Sequence, residues 1–296
     1  MDNYQIRKEL YDAASLYAGF DPADEQSYGS CYDARVYADF IASGKRSRDL
    51  AVTLPRTLHD HSISDALYRF LAGYDPFQIV GVMGGHAMKR SDASYRNVAL
   101  ICKKLTEQGK LMVSGGGPGA MEATHFGAWM AGRSDAELDA ALEMLRAADT
   151  FRDSGWLSTA FRVMERFPQT KFKSLGIPTW LYGHEPSTPF ATQIAKYYDN
   201  SIREDTILDV PALPTETMPD SATLRFVFNA DGKPVAVVLY DPQDEEYSAR
   251  FHALIDWVAV PREERYLLAL APQGREKAEK VLSGLTSWLL SSFSEG

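Results

Sequence analysis

Apolar positions recur at helical spacing at the start of the chain and at strand spacing further on. Residues 1 to about 75 show no strand pattern. In "SISDALYRFLAG", Ile63, Ala66, Leu67, Phe70 and Leu71 fall near one helical face between a serine start and a glycine stop. The rhythm changes from residue 78. "FQIVGVMGG" is a short apolar run closed by glycines, which reads as a buried strand. "SDASYRNVALICKKLTEQG" then reads as an amphipathic helix. Ser91 or Asp92 caps it, Tyr95, Val98, Leu100, Ile101 and Leu105 are its apolar positions, and Gly109 stops it. "KLMVSGGG" is a second strand and "AMEATHFGAWMAG" a second helix. The β-α-β-α order with short connections predicts a parallel sheet with right-handed crossovers.

Two further helices are predicted in "DAELDAALEMLRAA" and "LSTAFRVMERF", lying over the sheet. "SLGIPTWLYG" supplies another strand. The second half of "HEPSTPFATQIAKYYDNSIREDTIL" is expected to be helical. The proline-rich stretch 209–221 is the best domain boundary. Beyond it, "ATLRFVFNADGKPVAVVLYDP" reads as a hairpin turning at Asp231-Gly232, followed by helices around one more strand. The expected architecture is α/β, a Rossmann-like parallel sheet with flanking helices. A helical N-terminal extension (1–75) precedes the sheet domain (76–208), and a small α+β part (209–296) follows it.

The glycines are the first candidate chemistry. Gly84-Gly85 follows one strand, and Gly115, Gly116, Gly117 and Gly119 follow the next. The clusters lie 31 residues apart, from 84 to 115, which is one β-α-β unit. Parallel neighbouring strands bring both turns to the same carboxyl edge, where open α/β sheets take ligands. Backbone N–H groups approach an anion closely at glycine, and a following helix N-terminus adds positive potential. Two such turns in register predict a nucleotide or phosphate site.

Charge narrows the partner. A net charge of −9 and a pI near 5.2 oppose nonspecific binding to nucleic acid or an anionic membrane, which requires clustered cations. They do not oppose a small anion held by backbone N–H groups. Cys31 and Cys102 are too few for a disulfide framework or a structural zinc site. His59, Asp60 and His61 do not converge on one point; capping and surface polarity are the expectation, and no metal site or cofactor is predicted. With no apolar leader and no long apolar window, a cytoplasmic protein is expected.

The motifs "GGHAM" and "GGGPGAMEA", with "WLSTAFRVMERF" and "GIPTWLYGHEPSTPFATQIAKYYDNSIRED", resemble the LOG-type family, once mislabelled lysine decarboxylases. Its members include cytokinin-riboside phosphoribohydrolases and bacterial nucleotide 5′-monophosphate nucleosidases. The resemblance covers roughly residues 55 to 208. It implies a Rossmann-like fold, a nucleoside monophosphate such as AMP as ligand, hydrolysis of the N-glycosidic bond, and a homodimer. Carried over by motif, Gly84, Gly85 and His86 form the first loop. Gly115 to Gly119 with Met121 and Glu122 form the second. Arg203 stands where the family has an arginine thought to help bind the nucleotide.

One family feature is missing: the signature PGGxGTxxE, which carries a phosphate turn and the catalytic glutamate, occurs nowhere in the chain. Cleavage through an oxocarbenium-like transition state calls for a carboxylate near the ribose. Glu185, just past the third strand, is the candidate substitute, with Arg203 as its catalytic companion. The alternative is a nucleotide-binding or sensor protein without turnover. Glu122, at a helix start, serves either the ligand or the helix dipole. His86 either meets a ligand or orients its turn, and His125 packs in the core. Trp129, Trp180 and Tyr182 fill the core or line a base pocket.

Overall fold

The structure, a computed structural model, describes residues 6–75, 78–83, 86–203, 223–228 and 234–240. Three helices come first: α1 (Ala13–Leu16), α2 (Tyr32–Ala42) and α3 (Leu50–Leu71). The β-α-β-α unit follows as β1 (Ile79–Met83), α4 (Ala93–Glu107), β2 (Leu111–Ser114) and α5 (Ala120–Trp129). Next come α6 (Asp135–Leu145), α7 (Trp156–Arg166), β3 (Ser174–Gly176) and β4 (Gln193–Ile194). The backbone segments β5 (Thr223–Phe228) and β6 (Pro234–Tyr240) complete the described chain.

The protein has the expected α/β architecture. Four parallel strands stand in the order β4-β3-β2-β1, with Ile79 opposite Leu111 and Met112 opposite Ser174. β5 runs parallel to the free side of β1, and β6 is antiparallel to β5. The Asp231-Gly232 turn, the 209–221 boundary and the elements expected after residue 240 lie outside the described residues.

Alternation along the strands builds two cores. Ile79, Leu111, Val113 and Leu175 point to one face, where they pack with Tyr11, Leu16, Val36, Phe40, Ile63 and Leu67 of the N-terminal segment. Val80, Val82 and Met112 point to the other, against α4, α5 and α6. Period-two side chains thus serve two helical layers. On the second face α4 and α5 cross so closely that a Cβ at Gly127 would collide with the Ala99 carbonyl, so only glycine fits there.

One element differs from expectation. The helix expected to start in "SISDAL" begins at Leu50, capped by the Asp49 carboxylate on the Ala51 N–H, and runs through Pro55. Its inward stripe is Arg56, His59, Asp60, Ile63, Ala66 and Leu67, while Leu50, Leu54 and Leu58 face outward. The first half is therefore inverted, polar inside and apolar outside, which hides it from a periodicity argument. Between β3 and the expected helical segment lies a strand that the sequence reading did not place. Gln193 and Ile194 pair with Leu175 and Gly176 as β4, and helical residues follow at Asn200–Arg203, within the half of the segment expected to be helical.

A buried ion pair fastens α2 to the segment after β4. Lys196 Nζ donates to Asp33 Oδ1 at 2.5 Å and to Ser187 Oγ at 3.0 Å, and Trp180 Nε1 donates to the same Asp33 oxygen at 2.8 Å. A buried charge is tolerated when its partners are this complete. Among the described residues, no helix is long and apolar enough to cross a membrane.

Candidate functional site

The glycine turn after β2 is shaped by its neighbours. Gly116 has φ +68°, and a Cβ there would lie 3.1 Å from the Gly176 Cα and 3.0 Å from Pro178 Cδ. Backbone conformation and the close passage of the chain leaving β3 therefore both require glycine. The Thr188 N–H donates to the Gly116 carbonyl at 2.8 Å and ties the loop after β3 onto the turn.

Beneath the turn, Ser114 Oγ meets His125 Nε2 at 2.8 Å, the Met121 carbonyl at 3.3 Å and the Gly116 N–H at 3.2 Å. One arrangement uses the hydroxyl fully: it donates to Met121 and accepts from His125 Nε2–H and Gly116 N–H. His125 Nδ1 is then a bare acceptor, consistent with its having no hydrogen-bond partner among the described residues. Burial pushes the His125 imidazolium down to about 3, so the ring is neutral near pH 7. His125 thus has the expected packing role and also braces the turn.

Arg203 and Met121 lie over the same turn. A Cβ on Gly115 would stand 2.5 Å from Arg203 Nη2 and 2.7 Å from Met121 Sδ, and one on Gly117 would stand 2.8 Å from Met121 Cε. The Arg203 guanidinium is oriented by donating through Nε to the Ile177 carbonyl at 3.0 Å. Gly119 caps α5 with no side-chain bond to the first turn. The glycine turn and the start of α5, which has no side-chain cap, thus lie beside an arginine, a combination of groups suited to an anion.

Glu185 and His86 come together at this edge. His86 Nδ1 lies 3.4 Å from Glu185 Oε1, with the histidine side chain 51% and the glutamate 16% exposed. His184 Nε2 is 3.8 Å from the same oxygen. His86 follows β1 and Glu185 follows β3, whereas β2 lies between those strands. Of the first glycine cluster, Gly84 and Gly85 lie outside the described residues.

Glu122 is placed differently. It is 1% exposed, and both its oxygens are held by Arg90: Nε to Oε2 at 3.0 Å and Nη2 to Oε1 at 2.5 Å. Arg90 also donates to Thr159 Oγ1 and to the carbonyls of Leu145, Ala148 and Trp156. Burial alone would lower the guanidinium pKa, but the Glu122 carboxylate more than offsets this and holds it above the usual value. The pair joins the approach to α4, the start of α5 and the α6–α7 layer. Sequence reasoning missed Arg90, whose only signal is a basic residue just ahead of a helix.

Several residues lie away from this edge. His59 and Asp60 are buried in the middle of α3, which corrects the expectation of surface polarity. The Asp60 carboxylate accepts from the Tyr198 and Asp199 N–H groups, and His59 Nε2 contacts the Tyr11 hydroxyl at 2.8 Å. Trp129 and Trp180 are core residues, but Tyr182 is 44% exposed. Both cysteines are buried and free, and burial pushes the Cys102 thiol up to about 12. No cluster of three or more His, Cys, Asp or Glu suited to a metal occurs among the described residues.

Fold and edge together define a Rossmann-like α/β protein with its polar residues gathered at the carboxyl end of the sheet. No known protein-family model matches the chain, and no curated protein matches it.

Proposed function

We propose that the protein binds a nucleoside 5′-monophosphate at the carboxyl edge of its sheet and hydrolyses the N-glycosidic bond, as a LOG-like phosphoribohydrolase. The supporting observation is the convergence on one glycine turn of Arg203, Met121 and the start of α5, with the His86–Glu185 pair in the loops that follow the neighbouring strands β1 and β3. The turn and Arg203 hold the phosphate. Glu185 faces the ribose, stabilises the developing positive charge and takes a proton from the attacking water. Water oxygen bonds to C1′ as the C1′–N bond breaks, and the base leaves with its electron pair and a proton. His86 orients the Glu185 carboxylate. Glu122 acts by anchoring the start of α5 through Arg90. A homodimer belongs to the same reading and rests on resemblance alone.

A second reading rests on a specific observation. The PGGxGTxxE signature is absent from the sequence, which favours a nucleotide-binding or sensor protein without turnover. Incubation with AMP, GMP, CMP and UMP distinguishes the two. Release of free base and ribose 5-phosphate, abolished by Glu185→Ala, is the expected result for the hydrolase. Thermal stabilisation by a nucleotide without turnover selects the sensor, since a ligand of the native state stabilises it by mass action. Neither turnover nor stabilisation contradicts both.

A further inference from the structure

The inverted half of α3 borders a cavity of about 580 Å³, within the size range of small-ligand pockets. Thr53, Arg56, Thr57 and Asp60 of α3 form one wall. The α2–α3 loop contributes Lys45 and Arg46, and the chain around Tyr182 and Asn200 closes the other side. None of the residues assigned to the carboxyl-edge site lines this cavity.

Its charge balance is the informative feature. Lys45, Arg46 and Arg56 supply three cations, against the two carboxylates of Asp60 and Asp199. Both carboxylates are already engaged by backbone donors. Asp60 accepts from Tyr198 and Asp199, and Asp199 Oδ1 accepts from the Ser201 N–H at 2.8 Å. Lys45 and Arg46 are exposed at the mouth.

Arg56 is different: it is buried, and its guanidinium lies 4.5 Å from the Phe40 ring centre and 5.6 Å from that of Tyr198. Its terminal nitrogens donate to the Gly44, Lys45 and Phe40 carbonyls and to Ser43 Oγ, and its Nε is buried with no hydrogen-bond partner among the described residues. Its four terminal N–H groups are thus committed to the protein, and what it offers the cavity is a fixed positive charge. The exposed ring of Tyr182 stands on the opposite wall.

We propose that this cavity is a second ligand site, for a small organic phosphate whose phosphate lies between Arg56, Lys45 and Arg46. Burying the polar stripe of α3, rather than its leucines, is what builds the site. Asn200 and Ser201 line the cavity, and Arg203 follows two residues later, so the occupant sits within one helical turn of the carboxyl edge.

The test is calorimetric titration of pyrophosphate at physiological salt, which screens loose surface binding. Four proteins are compared: wild type, Lys45→Gln/Arg46→Gln, Arg203→Ala, and the triple variant. The two mouth cations are exposed, so unchanged thermal midpoints are expected. Pyrophosphate binding is expected in wild type and to persist in Arg203→Ala. It is expected to weaken at least tenfold whenever Lys45→Gln/Arg46→Gln is present. Three results overturn the proposal: no binding in wild type at millimolar pyrophosphate, binding that is lost in Arg203→Ala, or binding indifferent to the two mouth substitutions.

Discussion

Glu122 and Glu185 each follow a strand of the same sheet, and each faces a basic side chain, yet they sit in opposite environments. Glu122 is sealed against Arg90, and Arg90 spends its remaining donors on Thr159 and three carbonyls. Glu185 remains partly open, 3.4 Å from a half-exposed His86. A carboxylate whose oxygens are both saturated by a buried arginine anchors the fold. A carboxylate at the rim of a glycine turn, loosely paired to an imidazole, can still meet a reactant. Their contrast separates a structural pair from the proposed reacting pair, although in sequence both are glutamates near a glycine motif.

The contrast breaks most visibly in stability. Glu122→Ala leaves Arg90 buried without its counter-charge, and a loss of about 3–5 kcal/mol is expected, read from urea unfolding. A fall below about 1 kcal/mol would mean that the pair anchors nothing.

A smaller effect concerns the histidine beneath the turn. Folding lowers the His125 pKa from 6.5 to about 3, so between those values the unfolded chain binds the extra proton. The stability that follows from keeping the ring neutral is complete above pH 6.5 and declines as the pH falls toward 3. From pH 7 to pH 5 the expected loss is about 2 kcal/mol, at ~1.4 kcal/mol per unit below 6.5. Unfolding curves of His125→Gln at the two pH values should lack this increment. An unchanged acid slope in the variant would assign the loss to other groups.

The smallest stability effects fall at the open edge. Glu185→Gln should shift unfolding by no more than about 0.5 kcal/mol, as for other partly exposed positions. Turnover of a nucleoside monophosphate should nevertheless drop about a hundredfold or more, measured as ribose 5-phosphate release. If Glu185→Gln destabilised the protein as much as Glu122→Ala, the division between the two carboxylates would fail.

The sheet was legible because its signals are local. β1 and β2 are short apolar runs ending in glycine, and α4 carries a clean amphipathic stripe between Asp92 and Gly109. α3 was half hidden because Arg56, His59 and Asp60 point inward while Leu50, Leu54 and Leu58 do not. β4 was hidden because its two residues, Gln193 and Ile194, are too few to show a period. At the candidate site, the second glycine turn, Arg203 and Glu185 could be named as expectations from motif resemblance and from their place after strands. The partnership of His86 with Glu185 and that of Glu122 with Arg90 could not, since each joins residues whose approach is set by strand order and helix packing.

We propose that the nucleotide phosphate binds at the glycine turn under Arg203. The most direct measurement is calorimetric titration of AMP into the wild type and Arg203→Ala, with thermal midpoints confirming that both are folded. The account predicts saturable binding by the wild type and at least tenfold weaker binding by the variant, about 1.4 kcal/mol or more, as expected for the loss of a charge-assisted contact to phosphate. Equal affinities in the two proteins, or no binding to either, would contradict it.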